Sequence, residues 1–179
     1  PFFTGSPWAT RTVATIAVRG GELWRVVTAL TLHFDVAHLL ANLGFGAAFV
    51  LLLEKIALLN DAGYTPSCSL NPVLNCGSIM KTEQAELFGF PNPIIGVAAF
   101  PVLVATGAAL LAGGRLARWY WWGLQVGVTL GMAFIGWLIF QSLYRIGALC
   151  PYCMVVWAVV LPVFWYVTLR NAYEGLFGA

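Results

Sequence analysis

The chain has 179 residues, of which 60% are hydrophobic and only 9% are charged, whereas soluble domains are about half apolar and about a quarter charged. A net charge of +2 argues against a nucleic-acid-binding surface, and the high apolar content excludes a disordered chain. The composition therefore predicts an integral membrane protein that lies in a lipid bilayer.

Four apolar segments approach the length of about 20 residues that a helix needs to cross a bilayer. In chain order they are residues 36–59, 93–112, 119–143 and 151–169. A long polar loop, residues 60–91, separates the first two segments. Within it we expect residues 82–88 to form a short helix, because a threonine precedes acidic residues there. The predicted fold is an all-α membrane protein, a bundle of four transmembrane helices with a short helix in the loop between helices 1 and 2.

The distribution of Lys and Arg predicts how this bundle is oriented, because short cytoplasmic flanks favour positive charge. With a cytoplasmic N-terminus, the inner flanks hold Arg11, Arg19, Arg25, Arg115, Arg118 and Arg170, and the outer flanks hold Lys55, Lys81 and Arg145. We therefore expect a multi-pass protein of the cell membrane, with both termini in the cytoplasm and the polar loop on the extracytoplasmic side.

The four cysteines form two pairs along the chain, Cys68 with Cys76 and Cys150 with Cys153. The first pair lies in the extracytoplasmic loop and the second at the outer start of the last helix, so we expect all four thiols on the face where disulfides persist. Cys150 precedes Pro151, a residue suited to a first helical turn. A cysteine at a helix N-terminus has a lowered thiol pKa, and its thiolate is reactive.

A mobile cysteine pair beside a pair fixed at a helix end is what thiol–disulfide exchange requires, because each step is the attack of a thiolate on a disulfide. The electrons must then leave the site. Since the chain has no flavin or haem signature, we expect a lipid-soluble quinone beside Cys153 as the acceptor. Two alternatives stay open. The four cysteines could bind zinc, but their uneven spacing disfavours this, and we predict no metal site. The cysteines could also form two inert disulfides in a catalytically silent membrane scaffold.

Three motifs contain the cysteine pairs and a segment between them. They are Cys-Ser-Leu-Asn-Pro-Val-Leu-Asn-Cys-Gly-Ser-Ile-Met from Cys68, Gly-Phe-Pro-Asn-Pro-Ile-Ile-Gly from Gly89, and Cys-Pro-Tyr-Cys from Cys150. Over about residues 46–172 the chain thereby resembles the vitamin K epoxide reductase family, in its bacterial branch. The resemblance implies a four-helix bundle around ubiquinone or menaquinone, and a thioredoxin-fold partner that is oxidised outside the cytoplasm.

The resemblance also implies a role for each cysteine. Cys68 would exchange disulfides with the partner protein, Cys76 would relay to Cys150, and Cys153 would react with the quinone ring. Many bacterial members carry a thioredoxin-like domain after the bundle. Because this chain stops at Ala179, we expect its partner on a separate chain or on a segment that has been lost.

Two further residues correspond to quinone-binding positions of the family. Asn92 matches an asparagine that hydrogen-bonds a quinone oxygen, and an amide is costly in a bilayer without such a partner. Asn92 could also cap the helix that begins at Pro93. Trp157 stands where animal members have a tyrosine, so its indole N–H would have to supply the second hydrogen bond.

Residues 19–46 carry a second resemblance, in the run Gly-Glu-Leu-Trp-Arg-Val-Val-Thr from Gly21 and in His33, His38 and Asn42. These residues are similar to the second transmembrane segment of rhomboid intramembrane proteases, where the equivalents of His38 and Asn42 help to form the oxyanion hole. The chain lacks both a Gly-x-Ser-Gly nucleophile motif and a later histidine to act as the base. We therefore expect residues 1–35 to be an appended, non-catalytic segment, followed by the four-helix domain 36–172 and a tail, 173–179.

The remaining polar and small residues have simpler interpretations. Glu54 and Lys55 are expected to extend towards water from the outer end of the first helix, with a functional ion pair as the alternative. Gln141 and Ser142 are expected to line the pocket or to bond a neighbouring helix. The spacing of Gly123, Gly127 and Gly131 is typical of a tight helix contact, either within the bundle or between protomers.

Overall fold

The computed structural model describes residues 36–178 of the chain, and side chains from Leu39 onward. The appended segment that we expect at residues 1–35, including His33, lies outside the described residues, as do the His38 side chain and Ala179.

All the regular elements of the described part of the chain are helical, and it contains no β-strand. Its elements are α1 (Val36–Asn60), α2 (Cys76–Met80), a 3-10 turn (Glu83–Glu86), α3 (Pro93–Leu111), α4 (Arg118–Phe140), a π-helical turn (Gln141–Ile146) and α5 (Pro151–Tyr173). Among these residues, four helices, α1, α3, α4 and α5, are long and apolar enough to cross a membrane. The predicted fold class is confirmed, and the protein is a multi-pass membrane protein.

The polar loop contains more structure than the sequence predicts. The 3-10 turn follows Thr82, as expected, but the Thr82 hydroxyl donates to the Ile79 carbonyl and does not cap the turn. The helix α2 was not predicted. Its start is stabilised by Asn75, whose side-chain oxygen accepts a hydrogen bond from the Ser78 N–H at 3.0 Å, as N-cap residues do.

Helix α1 lies at the centre of the bundle, where it packs on α3 and on α5, and α5 in turn packs on α4. The apolar core between them consists of Ala48, Phe100, Val128, Val159, Val163 and Val167. A Cβ atom at Gly96 would lie 2.7 Å from the Cβ of Ala48, so this glycine allows α1 and α3 to approach closely. By contrast, α3 and α4 make almost no backbone contact along their length.

A polar cluster joins α4 to α5 at the end of the bundle far from the cysteines. The fully buried Asn171 donates a hydrogen bond from its amide to Gln125 Oε1 at 3.0 Å, and Gln125 donates to Thr168 Oγ1 at 3.0 Å. Arg118 donates to the carbonyl of Gly175 at 2.9 Å. These bonds hold the last turns of α5 and the following residues against the start of α4.

Candidate functional site

Two chain segments that are distant in sequence meet at one end of the bundle through their backbones. Leu74 and Leu149 form a parallel β-bridge. The N–H of Asn75 donates to the Leu149 carbonyl at 2.9 Å, and the N–H of Leu149 donates to the Val73 carbonyl at 2.8 Å. Because a cysteine follows closely on each segment, the bridge brings the two cysteine pairs together.

The sulfur atoms are correspondingly close. Cys68 and Cys76 form a disulfide, while Cys150 and Cys153 are free thiols. The Sγ of Cys150 lies 3.0 Å from the Sγ of Cys76, and both residues are buried, as is Cys68. One disulfide is therefore placed beside one dithiol, within the distance at which a thiolate attacks a disulfide.

Cys150 occupies the position that its motif predicts, directly before the first turn of α5, with Pro151 at the start of that turn. Its Sγ accepts a hydrogen bond from the Cys153 N–H at 3.4 Å. A hydrogen bond from the Cys153 side chain lowers the pKa of Cys150, and backbone N–H groups add to this effect, against burial and the charge of Glu54, which raise it. The direction agrees with the prediction, and it favours the nucleophilic thiolate.

The arrangement also bears on the two alternative uses of the cysteines. The sulfur atoms of Cys68, Cys76 and Cys150 lie within 4.8 Å of one another, as metal ligands would. However, Cys68 and Cys76 share a disulfide, and metal ligation requires thiolates. A scaffold with two inert disulfides would pair Cys150 with Cys153, whereas the structure shows both as thiols.

Glu54 and Lys55 face the loop and not the solvent, so the expectation that they extend towards water is wrong. Both side chains are buried. Glu54 accepts hydrogen bonds from the Tyr64 hydroxyl at 2.8 Å and from the N–H and hydroxyl of Ser67. Lys55 Nζ donates to the Met80 carbonyl at 2.6 Å and pairs with a carboxylate of the 3-10 turn at 2.8 Å. The loop itself supplies the polar partners that water would otherwise provide.

A cavity of about 540 Å³ lies beside the cysteines and extends between α3 and α4. Its walls are almost entirely apolar, and at one end it reaches Cys76, Cys150 and Cys153. Gln141 and Ser142 also line it, which confirms the first of their two interpretations. The cavity has the size and apolar character of a site for a lipid-soluble molecule.

The three regularly spaced glycines of α4, Gly123, Gly127 and Gly131, line this cavity. A Cβ atom at any of them would meet nothing within 4 Å. Their interpretation as a tight contact face inside the bundle is therefore wrong, because α3 does not pack on this side of α4. Their absent side chains instead leave the cavity wide.

Asn92 and Trp157 both line the cavity. The Asn92 amide donates to the Gln84 carbonyl at 2.7 Å, and its oxygen accepts from the Leu87 N–H at 3.2 Å. Asn92 lies at the N-cap position of α3, as its alternative interpretation expects, but its side chain makes no capping hydrogen bond. An amide has two N–H donors, and the bond to Gln84 uses one of them.

Comparison with known proteins adds to this geometry. The family model for the vitamin K epoxide reductase family matches residues 36–168, a range that contains all four cysteines. None of the curated proteins compared matches the chain. A match over most of the chain, on a helical bundle with a disulfide beside a free dithiol, shows that this protein belongs to the vitamin K epoxide reductase family, whose members are thiol–disulfide oxidoreductases.

Proposed function

We propose that the protein is a quinone-dependent thiol oxidase that drives disulfide formation in a thioredoxin-fold partner outside the cytoplasm. The observation that carries this proposal is the 3.0 Å separation of Cys76 Sγ and Cys150 Sγ. At this distance the Cys68–Cys76 disulfide contacts the Cys150–Cys153 dithiol at the mouth of an apolar cavity. Oxidising equivalents therefore have a continuous path from the cavity to the loop.

The cysteines perform the relay in three exchanges. The dithiol of the partner attacks Cys68, so that the partner leaves with a disulfide and Cys68 and Cys76 are reduced. The Cys76 thiolate then attacks Cys150 in a Cys150–Cys153 disulfide, and the Cys153 thiolate departs. Finally Cys68 attacks Cys76, which restores the Cys68–Cys76 disulfide and leaves Cys150 and Cys153 reduced. The structure has the disulfide and thiols of this last state.

The cavity next to Cys153 suits ubiquinone or menaquinone. A quinone held there would serve as the acceptor for two electrons and two protons from the Cys150 and Cys153 thiols, and the two cysteines would then form a disulfide. Asn92, through its second amide N–H, and Trp157, through its indole N–H, would hold the quinone oxygens. The apolar wall along Gly127 would hold an isoprenoid chain.

The basic residues support an orientation with both termini in the cytoplasm of the cell and the cysteines outside the cell membrane. In this arrangement the oxidised partner is extracytoplasmic, on a separate chain or a further segment. We also propose that residues 1–35 take no part in catalysis, and that the redox unit is the domain 36–172. A thiol reagent that does not cross membranes should label the reduced protein in intact cells.

Quinone reduction by the purified protein tests the proposal. With a reduced thioredoxin-fold protein as the electron donor, absorbance should show quinol forming with the parent protein and not with Cys150→Ala/Cys153→Ala. Quinol formation by this double variant at the parent rate would show that the relay is wrong. A protein in which Cys68–Cys76 and Cys150–Cys153 both resist mild reductant would be the silent scaffold instead.

A further inference from the structure

Two adjacent charged residues of α1 hold opposite ends of the loop that contains the first cysteine pair. Glu54 binds the chain that enters Cys68, through the Tyr64 hydroxyl and through Ser67. Lys55 binds the chain that leaves Cys76, through the carbonyl of Met80. A buried ionised group is tolerated only when such partners satisfy it, so each contact has a stabilising effect on the loop.

The bonds to Glu54 fix the chain directly before Cys68. Ser67, the residue before Cys68, is bound to Glu54 through both its N–H and its hydroxyl. With this segment in place the Cys68 residue is only 4% exposed. A protein thiol cannot approach a sulfur atom that is covered to this extent. Exchange with a partner therefore requires the segment that holds Cys68 to move, and the bonds between Ser67 and Glu54 resist this movement.

The bond to Lys55 acts on the other cysteine. Helix α2 has five residues, with Cys76 first and Met80 last, so a bond to the Met80 carbonyl fixes the whole helix. Lys55 Nζ makes this bond at 2.6 Å and also pairs with Glu86 at 2.8 Å. It thereby holds Cys76 in the position from which its Sγ contacts Cys150.

We propose that Glu54 and Lys55 are positioning residues with separate tasks. Glu54 governs the access of a partner protein to Cys68, and Lys55 keeps Cys76 in contact with Cys150. The proposal rests on the thiol relay described above. Its test needs no quinone, so a failure of quinone reduction and a failure of this division of tasks can be told apart.

The first measurement addresses access to Cys68, in full-length protein carrying Cys150→Ser/Cys153→Ser. Glutathione reduces the Cys68–Cys76 disulfide, and alkylation followed by mass analysis gives the rate. Glu54→Gln should raise this rate by about tenfold, the ratio expected when one hydrogen bond to a charged group is lost. Ser67→Ala should act in the same direction without altering α1. Glu83→Gln, which changes an exposed acid of the same loop, is the matched control and should leave the rate unchanged.

The second measurement addresses the contact between Cys76 and Cys150, in full-length protein carrying Cys68→Ser. A chemical oxidant such as diamide first joins Cys150 to Cys153; the Cys76 thiolate then attacks Cys150, the Cys153 thiolate departs, and the Cys76–Cys150 mixed disulfide is trapped. Lys55→Met should lower the rate of trapping by about tenfold, and Glu86→Gln should lower it less, because the bond to Met80 is retained. Glu54→Gln should leave trapping unchanged.

The two measurements together decide the proposal. It is supported if Glu54→Gln alters only the reduction by glutathione and Lys55→Met alters only the trapping. It is overturned if each substitution changes both rates alike, or if neither substitution changes either rate. Should Glu54→Gln or Lys55→Met fail to fold, Ser67→Ala and Glu86→Gln make the same comparison without loss of a buried charge on α1.

Discussion

The Sγ atoms of Cys76 and Cys150 lie 3.0 Å apart, although 74 residues separate the two cysteines in the chain. No covalent bond enforces this approach, since Cys76 is joined to Cys68. Backbone hydrogen bonds between residues 73–75 and Leu149 hold the two segments together instead. The exchange between the cysteine pairs therefore needs little movement, whereas exchange with a partner needs Cys68 to become exposed.

Substitution of Cys68 should separate the use of protein thiols from the use of small thiols. In Cys68→Ala the partner protein has no disulfide to attack, so we expect its oxidation to fall to the background rate. A small dithiol, which reaches the Cys150–Cys153 pair directly, should still support part of the quinone reduction. Quinol formation with each donor, measured side by side, checks this outcome. Equal losses with both donors would contradict the assignment of Cys68 to the partner.

The reactivity of Cys150 should depend on pH in a way that Cys153 controls. The hydrogen bond from Cys153 lowers the pKa of Cys150, so its thiolate is present at a lower pH than that of an ordinary cysteine. Alkylation of Cys150 should therefore reach its full rate at a lower pH in the parent protein than in Cys153→Ala. Cys153→Ser, which keeps a hydroxyl donor, should lie between the two.

Alkylation by iodoacetamide between pH 6 and 10, resolved by mass analysis for each cysteine, gives the three profiles. Identical profiles for the parent and Cys153→Ala would show that the bond does not act on Cys150.

A larger side chain at Gly127 should weaken quinone binding. Gly127 lines the cavity, and a Cβ there meets no other atom, so Gly127→Leu fills the cavity without striking a neighbouring helix. We expect the KM for quinone to rise by about tenfold, as overfilling a site typically costs. The rate of thiol exchange between the cysteines should stay the same.

Gly136→Leu is the matched control, because Gly136 is on the same helix and also has open space beside it but does not line the cavity. Equal effects of the two substitutions on KM would contradict the placement of the quinone against this face of α4.

Asn171 should contribute to stability and not to catalysis. It is fully buried and its amide donates to Gln125 Oε1 and to the Trp121 carbonyl, so Asn171→Leu leaves Gln125 Oε1 without this donor. We expect a loss of about 1–3 kcal/mol of stability, seen as a lower Tm of the detergent-solubilised protein. Ala172→Leu, at an exposed position of the same turn, should not lower the Tm. A fall in quinone reduction per folded molecule in Asn171→Leu would contradict a purely structural role.

The transmembrane helices could be predicted closely from the sequence, because the length of an apolar run is fixed by the thickness of the bilayer. The predicted span 93–112 compares with α3 at Pro93–Leu111, and 36–59 compares with α1 at Val36–Asn60. The start of α5 was also predictable, since a proline after Cys150 suits a first turn. The order of the helices in the membrane predicted that both cysteine pairs lie at the same face. It did not predict the 3.0 Å distance between Cys76 Sγ and Cys150 Sγ.

The side-chain contacts were harder to predict, because they depend on which helices are neighbours. Glycines spaced four apart favour a helix contact only if a helix lies opposite, and α3 leaves this side of α4 open. The contacts of Glu54 and Lys55 with the loop had a visible signal in the sequence. Two opposite charges side by side in an apolar helix are costly unless each finds a partner, and here the loop supplies both partners.

The bridge between Leu74 and Leu149 uses backbone atoms alone, so the side chains of the bridging residues themselves are not needed to pair the two segments. Leu70 and Val73 are exposed on this loop. Substitutions of Leu70 or Val73 should therefore alter the surface of this loop while the spacing of the two cysteine segments is kept.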